Sequence, residues 1–148
     1  MWFFLFLAAM LGASLGSFAS VLIARSDNPR SVMFATGSDD MARSACPNCG
    51  RVLTAMDLLP LFGWILAGGK CRSCKTPIGW RYLVYEIIGA GVLALSFWHN
   101  GFGVPFVLLI FGLPFVIAVA GLLYQRKSIP PIYQIGALLG GIALVASM

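Results

Sequence analysis

Apolar residues fall into four long runs separated by polar stretches. Residues 1–24, 104–124 and 131–148 carry no charge, and residues 82–98 are interrupted only by Glu86. A membrane-spanning helix needs about 20 consecutive apolar residues, with a range of about 17–25. Each run meets that length, the last one narrowly, so the pattern predicts four transmembrane helices. A fifth apolar run, 58–67, is too short to cross and contains Pro60 and Gly63. It is expected to lie at the interface or to pack against the spans. The first run has no basic residue ahead of it, and Arg25 and Arg30 follow it. That order argues for a retained helix and against a cleaved signal.

Composition strengthens this reading. The chain is 59% hydrophobic and only 10% charged, with a mean hydropathy of +0.90, whereas a soluble domain carries roughly 25% charged residues. The expected fold is an all-α membrane protein. It has one helix over 1–24, a polar insert over 25–81, and three helices over 82–148. Arg25, Arg30, Arg43, Arg51, Lys70, Arg72, Lys75 and Arg81 all precede the second span, and Arg126 and Lys127 lie between the third and fourth. The link 99–103 has no Lys or Arg. By the positive-inside rule both basic segments are cytoplasmic and both termini lie outside. The net charge of +5 then reflects topology and attraction to anionic lipid, and no nucleic-acid partner is expected.

The insert carries the chain's candidate chemistry. Cys46, Cys49, Cys71 and Cys74 form two CxxC pairs 21 residues apart, close to the spacing of a four-thiolate zinc site. Reduced cytoplasmic thiols disfavour disulfides. Four thiolates close the coordination shell, so the zinc is expected to be structural. The alternatives are a bare thiol cluster or a redox pair. The insert has few apolar residues outside 58–67, and a metal clip would supply folding energy that a small core lacks. The clip also folds the apolar "MDLLPLFGWILAGG" between the pairs into a loop expected to lie back on the membrane domain.

Three further features stand out. Glu86 is the only ionisable residue within a span, and an intramembrane carboxylate is a functional candidate by default; the plainer reading is a bond within the domain, to Arg81, Lys70 or a Tyr. Asp57 either bonds backbone amides of the loop or faces a substrate. Ala8, Gly12, Gly16, Ser20 and Ala24 recur every fourth residue and form a small-residue helix face. Gly136 and Gly140 make a shorter one. Such faces pack the protein's own helices or accept a helix from a partner. Trp2, Trp64, Trp80 and Trp98 fall near the run boundaries, as interfacial anchors do.

"GSFASVLIAR" (16–25), "CPNCGRVLTAMDLLPLFGWILAGGKCRSC" (46–74) and "IGWRYLVYE" (78–86) together resemble the N-terminal region of bacterial prepilin peptidases. Those membrane enzymes cleave and N-methylate type IV pilins and type II secretion pseudopilins. "YQRKSIPPIY" (124–133) resembles a further loop of that family. The resemblance implies an inner-membrane location with periplasmic termini and a cytoplasmic zinc loop. It also implies a pilin or pseudopilin precursor as partner, with a full-length peptidase as a possible second one. A prepilin presents a basic leader, a glycine, then an apolar helix with a glutamate near its start. Glu86 would meet the leader's charge or a new N-terminal amine, Arg81 the pilin's glutamate, and Asp57, Gly12 and Gly16 complete the partner-binding set.

The sequence also departs from that family. Its proteolysis uses two aspartates, one just before the Ile-Pro and one in a GxGD motif. Here "AVAGLLYQRKS" precedes Ile129-Pro130, no GxGD occurs, and the 62 residues after Glu86 contain no Asp or Glu. An aspartic protease needs two carboxylates in one site, so no catalytic residue is assigned and proteolysis by this chain alone is not expected. Ser20 replaces a usual Asn and Leu83 a usual Pro. The expectation is a non-catalytic relative that binds precursors and assists their stability, maturation or assembly. The alternatives are an N-methyltransferase half or one chain of a split peptidase, and an unrelated zinc-clipped scaffold.

Overall fold

The computed structural model describes residues 1–24, 26, 44–46 and 48–146. Arg25, Arg30, Arg43, Asp27, Asp39 and Asp40 lie outside the described residues. The described residues are helical, without named strands: α1 (Trp2–Ala24), α2 (Phe62–Leu66), α3 (Arg81–Asn100), α4 (Val104–Tyr124) and α5 (Pro131–Ala146). Helices α1, α3 and α4 are long and apolar enough to cross a membrane. At 1.5 Å per residue they reach about 30–35 Å. The 16 described residues of α5 reach only about 24 Å, so it is the shortest of the four apolar helices. The cysteine loop falls between α1 and α3.

Small residues set the packing. Helix α1 lies mainly against α3 and also touches α4, while α5 packs on α4. A Cβ on Gly12 would overlap the Gly89 carbonyl, and one on Gly16 the Tyr85 carbonyl, so α1 and α3 meet backbone to backbone. Gly112 and Gly140 do the same for α4 and α5. At Gly12 and Gly16 the face read along α1 is thus filled by the protein's own helix. Leu22, Leu93, Leu109, Leu113 and Leu122 fill the interior between the helices. One long-range bond closes the bundle. Helix α1 ends where the Ser26 amide bonds Ile23 instead of Leu22, which leaves the Leu22 carbonyl without its intrahelical donor. The buried Tyr133 hydroxyl of α5 donates to it at 3.2 Å.

Aromatic side chains gather at the end opposite the cysteines. Phe97, Phe102 and Phe106 pack edge to face, with ring centres 4.9–5.9 Å apart, and Trp2 lies 6.4 Å from Trp98. His99 is exposed in the last turn of α3 at this end, away from the cysteines.

Candidate functional site

Each CxxC pair folds into the same small knuckle. The Cys46 amide donates to the Arg51 carbonyl at 2.9 Å, and the Cys71 amide to the Thr76 carbonyl at 2.9 Å. An antiparallel bridge flanks each, Ala45 with Val52 and Lys70 with Pro77. Directly after each pair the backbone turns left-handed, at Gly50 (φ 68) and Lys75 (φ 59). Glycine reaches that conformation without steric cost, whereas lysine bears it. The turns bring amides toward the thiols and the two knuckles face each other.

All four Sγ atoms lie within 4.8 Å of one another. Cys46 stands 3.8 Å from Cys74, and Cys49 3.9 Å from Cys71. Sulfurs at about 2.3 Å from a common tetrahedral centre are about 3.8 Å apart, so the four residues fit a tetrahedral metal ion. Their acidities diverge. A hydrogen bond with Thr76, then the amide of Asn48, pulls Cys74 down to about 5. The Arg51 amide lowers Cys49, but desolvation and the neighbouring thiols outweigh it and push it up to about 11. Four thiolates this close repel one another, and a cation at their centre removes that cost. A metal there would be fully coordinated by protein and would supply rigidity, not an open reaction site.

Asp57 joins the two knuckles. Its Oδ2 accepts from Arg51 at 3.2 Å, and its Oδ1 from Arg72 Nε at 2.9 Å. Arg51 follows the first knuckle, and Arg72 lies inside the second. The Thr54 amide and hydroxyl also donate to Oδ2, at 3.0 and 2.8 Å. The Thr54 bonds, then the two guanidinium charges, hold the Asp57 carboxyl below the usual range. The acid was legible in the sequence, but its arginine partners depend on how the knuckles face and carried no sequence signal.

Past Asp57 the apolar segment turns back onto the helices. Leu61 takes φ 64 and ψ −51, and the Phe62 amide bonds the Pro60 carbonyl two residues back at 2.7 Å. This is a γ-turn of the rare, strained kind. The buried Glu86 of α3 accepts the Leu61 amide at 2.7 Å. Glu86 therefore bonds a backbone amide, not the Arg81, Lys70 or tyrosine expected as its domain partners. Trp64 roofs the loop, with its indole donating to Ile78 at 3.2 Å and its ring over Gly69. No residue type at 61 signals this turn.

A groove of roughly 460 Å³ opens between the loop and the membrane helices. Ser17, Ser20, Val21 and Ala24 of α1 form one wall, and Leu58, Leu59 and Trp64 another. Asp57, Glu86, Arg51, Lys70 and Arg72 add both signs of charge. Of the residues singled out from the sequence, the structure brings Glu86, Asp57 and the cysteine module together here. Arg81 does not line this groove; it lines a second cavity. Gly12 and Gly16 lie buried against α3.

Comparison with known proteins places these residues in context. Residues 10–100 match the family model for the bacterial peptidase A24 N-terminal domain. A prepilin leader peptidase/N-methyltransferase of Burkholderia pseudomallei (strain K96243) is 47% identical over 57 residues, 36% of this chain and 18% of the relative. One from Myxococcus xanthus (strain DK1622) is 37% identical over 79 residues, 53% of this chain and 22% of the relative. One from Vibrio cholerae serotype O1 is 34% identical over 87 residues, 57% of this chain and 34% of the relative. The matches thus span only about a fifth to a third of those relatives' length. No solved structure matches the chain.

Proposed function

Because the chain belongs to the family of the bacterial peptidase A24 N-terminal domain, we propose that its cysteine loop and α1–α3 wall form a docking site for pilin or pseudopilin precursors in the bacterial inner membrane. The observation that carries this reading is the groove. Apolar walls meet a buried carboxylate, Glu86, at the membrane end, and basic side chains line the loop end. A precursor whose charged leader joins an apolar helix has the complementary profile, with Glu86 toward a leader cation or amine and Lys70 toward a carboxylate. Zinc in the four thiolates holds the loop as a rigid rim. The clustering of Arg and Lys around the loop supports a cytoplasmic loop and periplasmic termini.

In this reading the 148 residues recognise precursors and assist their stability, maturation or assembly without cutting them. Asp57 is held as an anion by two arginines, so it is a poor partner for the shared proton of an aspartic dyad. No Asp or Glu follows Glu86. A full-length prepilin peptidase is the natural second partner. Co-purification from membranes with each candidate prepilin, comparing wild type with Glu86→Gln, tests the proposal. Cleavage and N-terminal methylation are read by mass spectrometry in the same samples. Stable association, weakened by Glu86→Gln and without new cleavage or methylation, supports it. Methylation that depends on this chain would make it an enzyme, as the relatives' second activity would have it. No association with any prepilin would overturn both readings.

A further inference from the structure

Arg81 lies outside the groove, in a cavity that adjoins it. It lines this second cavity of roughly 420 Å³ together with Lys127, Gln125, Ser20, Trp80 and Tyr85. This cavity sits where α1 ends, α3 begins and α4 ends. Three helices of membrane-crossing length terminate there together, so it lies at the level of lipid headgroups, whichever side that leaflet faces. The surrounding aromatics agree. Trp80 is 63% exposed and Tyr124 72% exposed, as expected for residues at a membrane–water boundary. The guanidinium of Arg81 lies over the Tyr124 ring, 5.8 Å from its centre, which fixes its position at the cavity. Among the described residues no carboxylate lines it, while two cations, three hydroxyls and an amide do. Its chemistry is that of an anion site with several hydrogen-bond donors, and its size suits a phosphate ester with its glycerol.

We propose that this cavity binds the phosphate of an anionic phospholipid, held by Arg81 and Lys127 at the ends of α1, α3 and α4. Basic pockets between transmembrane helices take phospholipid headgroups by this chemistry. The cavity adjoins the groove and shares Ser20, Ala24, Gly79 and Tyr82 with it, but its two cations lie outside the groove, and the proposal stands whether or not the groove binds a pilin. A lipid seated here would tie α1 to α3 and α4 at the end that carries the cysteine loop.

Native mass spectrometry of the purified chain in non-ionic detergent tests this, with added phosphatidylglycerol, phosphatidylcholine or inorganic phosphate. The expected result is retention of phosphatidylglycerol over phosphatidylcholine. Arg81→Gln and Lys127→Gln each lower that retention about fivefold. Lys75→Gln, which removes a cation from outside the cavity, leaves it unchanged. Retention that is equal in wild type and the Arg81→Gln/Lys127→Gln variant would overturn the proposal. So would an equal loss with Lys75→Gln, which would mean diffuse charge attraction. Displacement by millimolar inorganic phosphate would assign the cavity to a free anion and overturn the lipid assignment. If the double variant loses its helical circular dichroism, Lys127→Gln alone decides, because that side chain is exposed past the end of α4.

Discussion

Leu61 takes a conformation that costs on the order of 1–3 kcal/mol, and the Glu86 carboxylate is what holds it there. Leaving the Leu61 amide unsatisfied costs about 1–3 kcal/mol, so the two terms are of the same size. Removing the carboxylate should therefore release the loop and leave the bundle intact. In Glu86→Ala, amide exchange at Leu61 and Phe62 is expected to rise on the order of tenfold or more, with α4 amides unchanged. Uniform protection across both would show that Glu86 does not hold the turn. Asp57 makes a second residue-level prediction. Its folded pKa is depressed, so its stabilisation is present above the unfolded value of about 3.9 and is lost as pH falls through the lower folded value. Asp57→Asn should cost about 1–3 kcal/mol at neutral pH. The gap to wild type should close in strong acid, as followed by fluorescence during denaturation in a background that keeps Trp64 as its one tryptophan. The sequence showed both acids as unusual. It did not show their partners, because a carboxylate's partner is set by how distant segments fold together.

At the scale of helices, the sequence was most informative where spacing repeats. Gly12 and Gly16, four apart on α1, meet Gly89 and Tyr85 of α3 as a small-residue face should. Gly89→Ala forces the backbones apart and should lower the melting temperature in detergent. Gly91, two positions on, has open space around its Cα, so Gly91→Ala should be neutral or stabilise by about 0.5–1 kcal/mol through helix propensity. If both substitutions behave alike, the backbone contact is not what joins α1 to α3. Helical geometry also explains why Arg81 and Glu86 serve different cavities. Five residues at about 100° each put them about 140° apart around α3, a separation computable from the sequence once the start of the helix is known. Tyr133, by contrast, reaches Leu22 across 111 positions and no local pattern announces it. Tyr133→Phe leaves the Leu22 carbonyl unpaired, and a loss of about 1 kcal/mol is expected in thermal unfolding.

For the molecule as a whole, two different kinds of pattern specify two different parts. The hydropathy runs located the apolar helices to within a few residues, and three of them are long enough to cross a membrane. The CxxC pairs located the knuckles, since a metal shell imposes local geometry. What joins the knuckles to each other, the Asp57 hub, and what joins the loop to the helices, the Glu86 contact, lie in single residues and were visible only as isolated acids. A zinc ion bound there would stabilise the loop far more than the bundle, because free energies on the order of 10–16 kcal/mol accompany zinc binding to small thiolate sites. One zinc per chain is expected by elemental analysis. Cys71→Ser should abolish it and expose the remaining thiols to alkylation, with helical circular dichroism nearly unchanged.

The contact between Leu61 and Glu86 also has a consequence for how the protein is made. Synthesis delivers α1 first, the cysteine loop second and α3 third. The knuckles contain all four candidate ligands, so a metal bound there would need nothing from α3. The acceptor for the Leu61 amide arrives only with Glu86, on the next helix to enter the bilayer. Closing the four-cysteine cluster and seating the loop therefore draw on different stretches of the chain, and only the second requires α3.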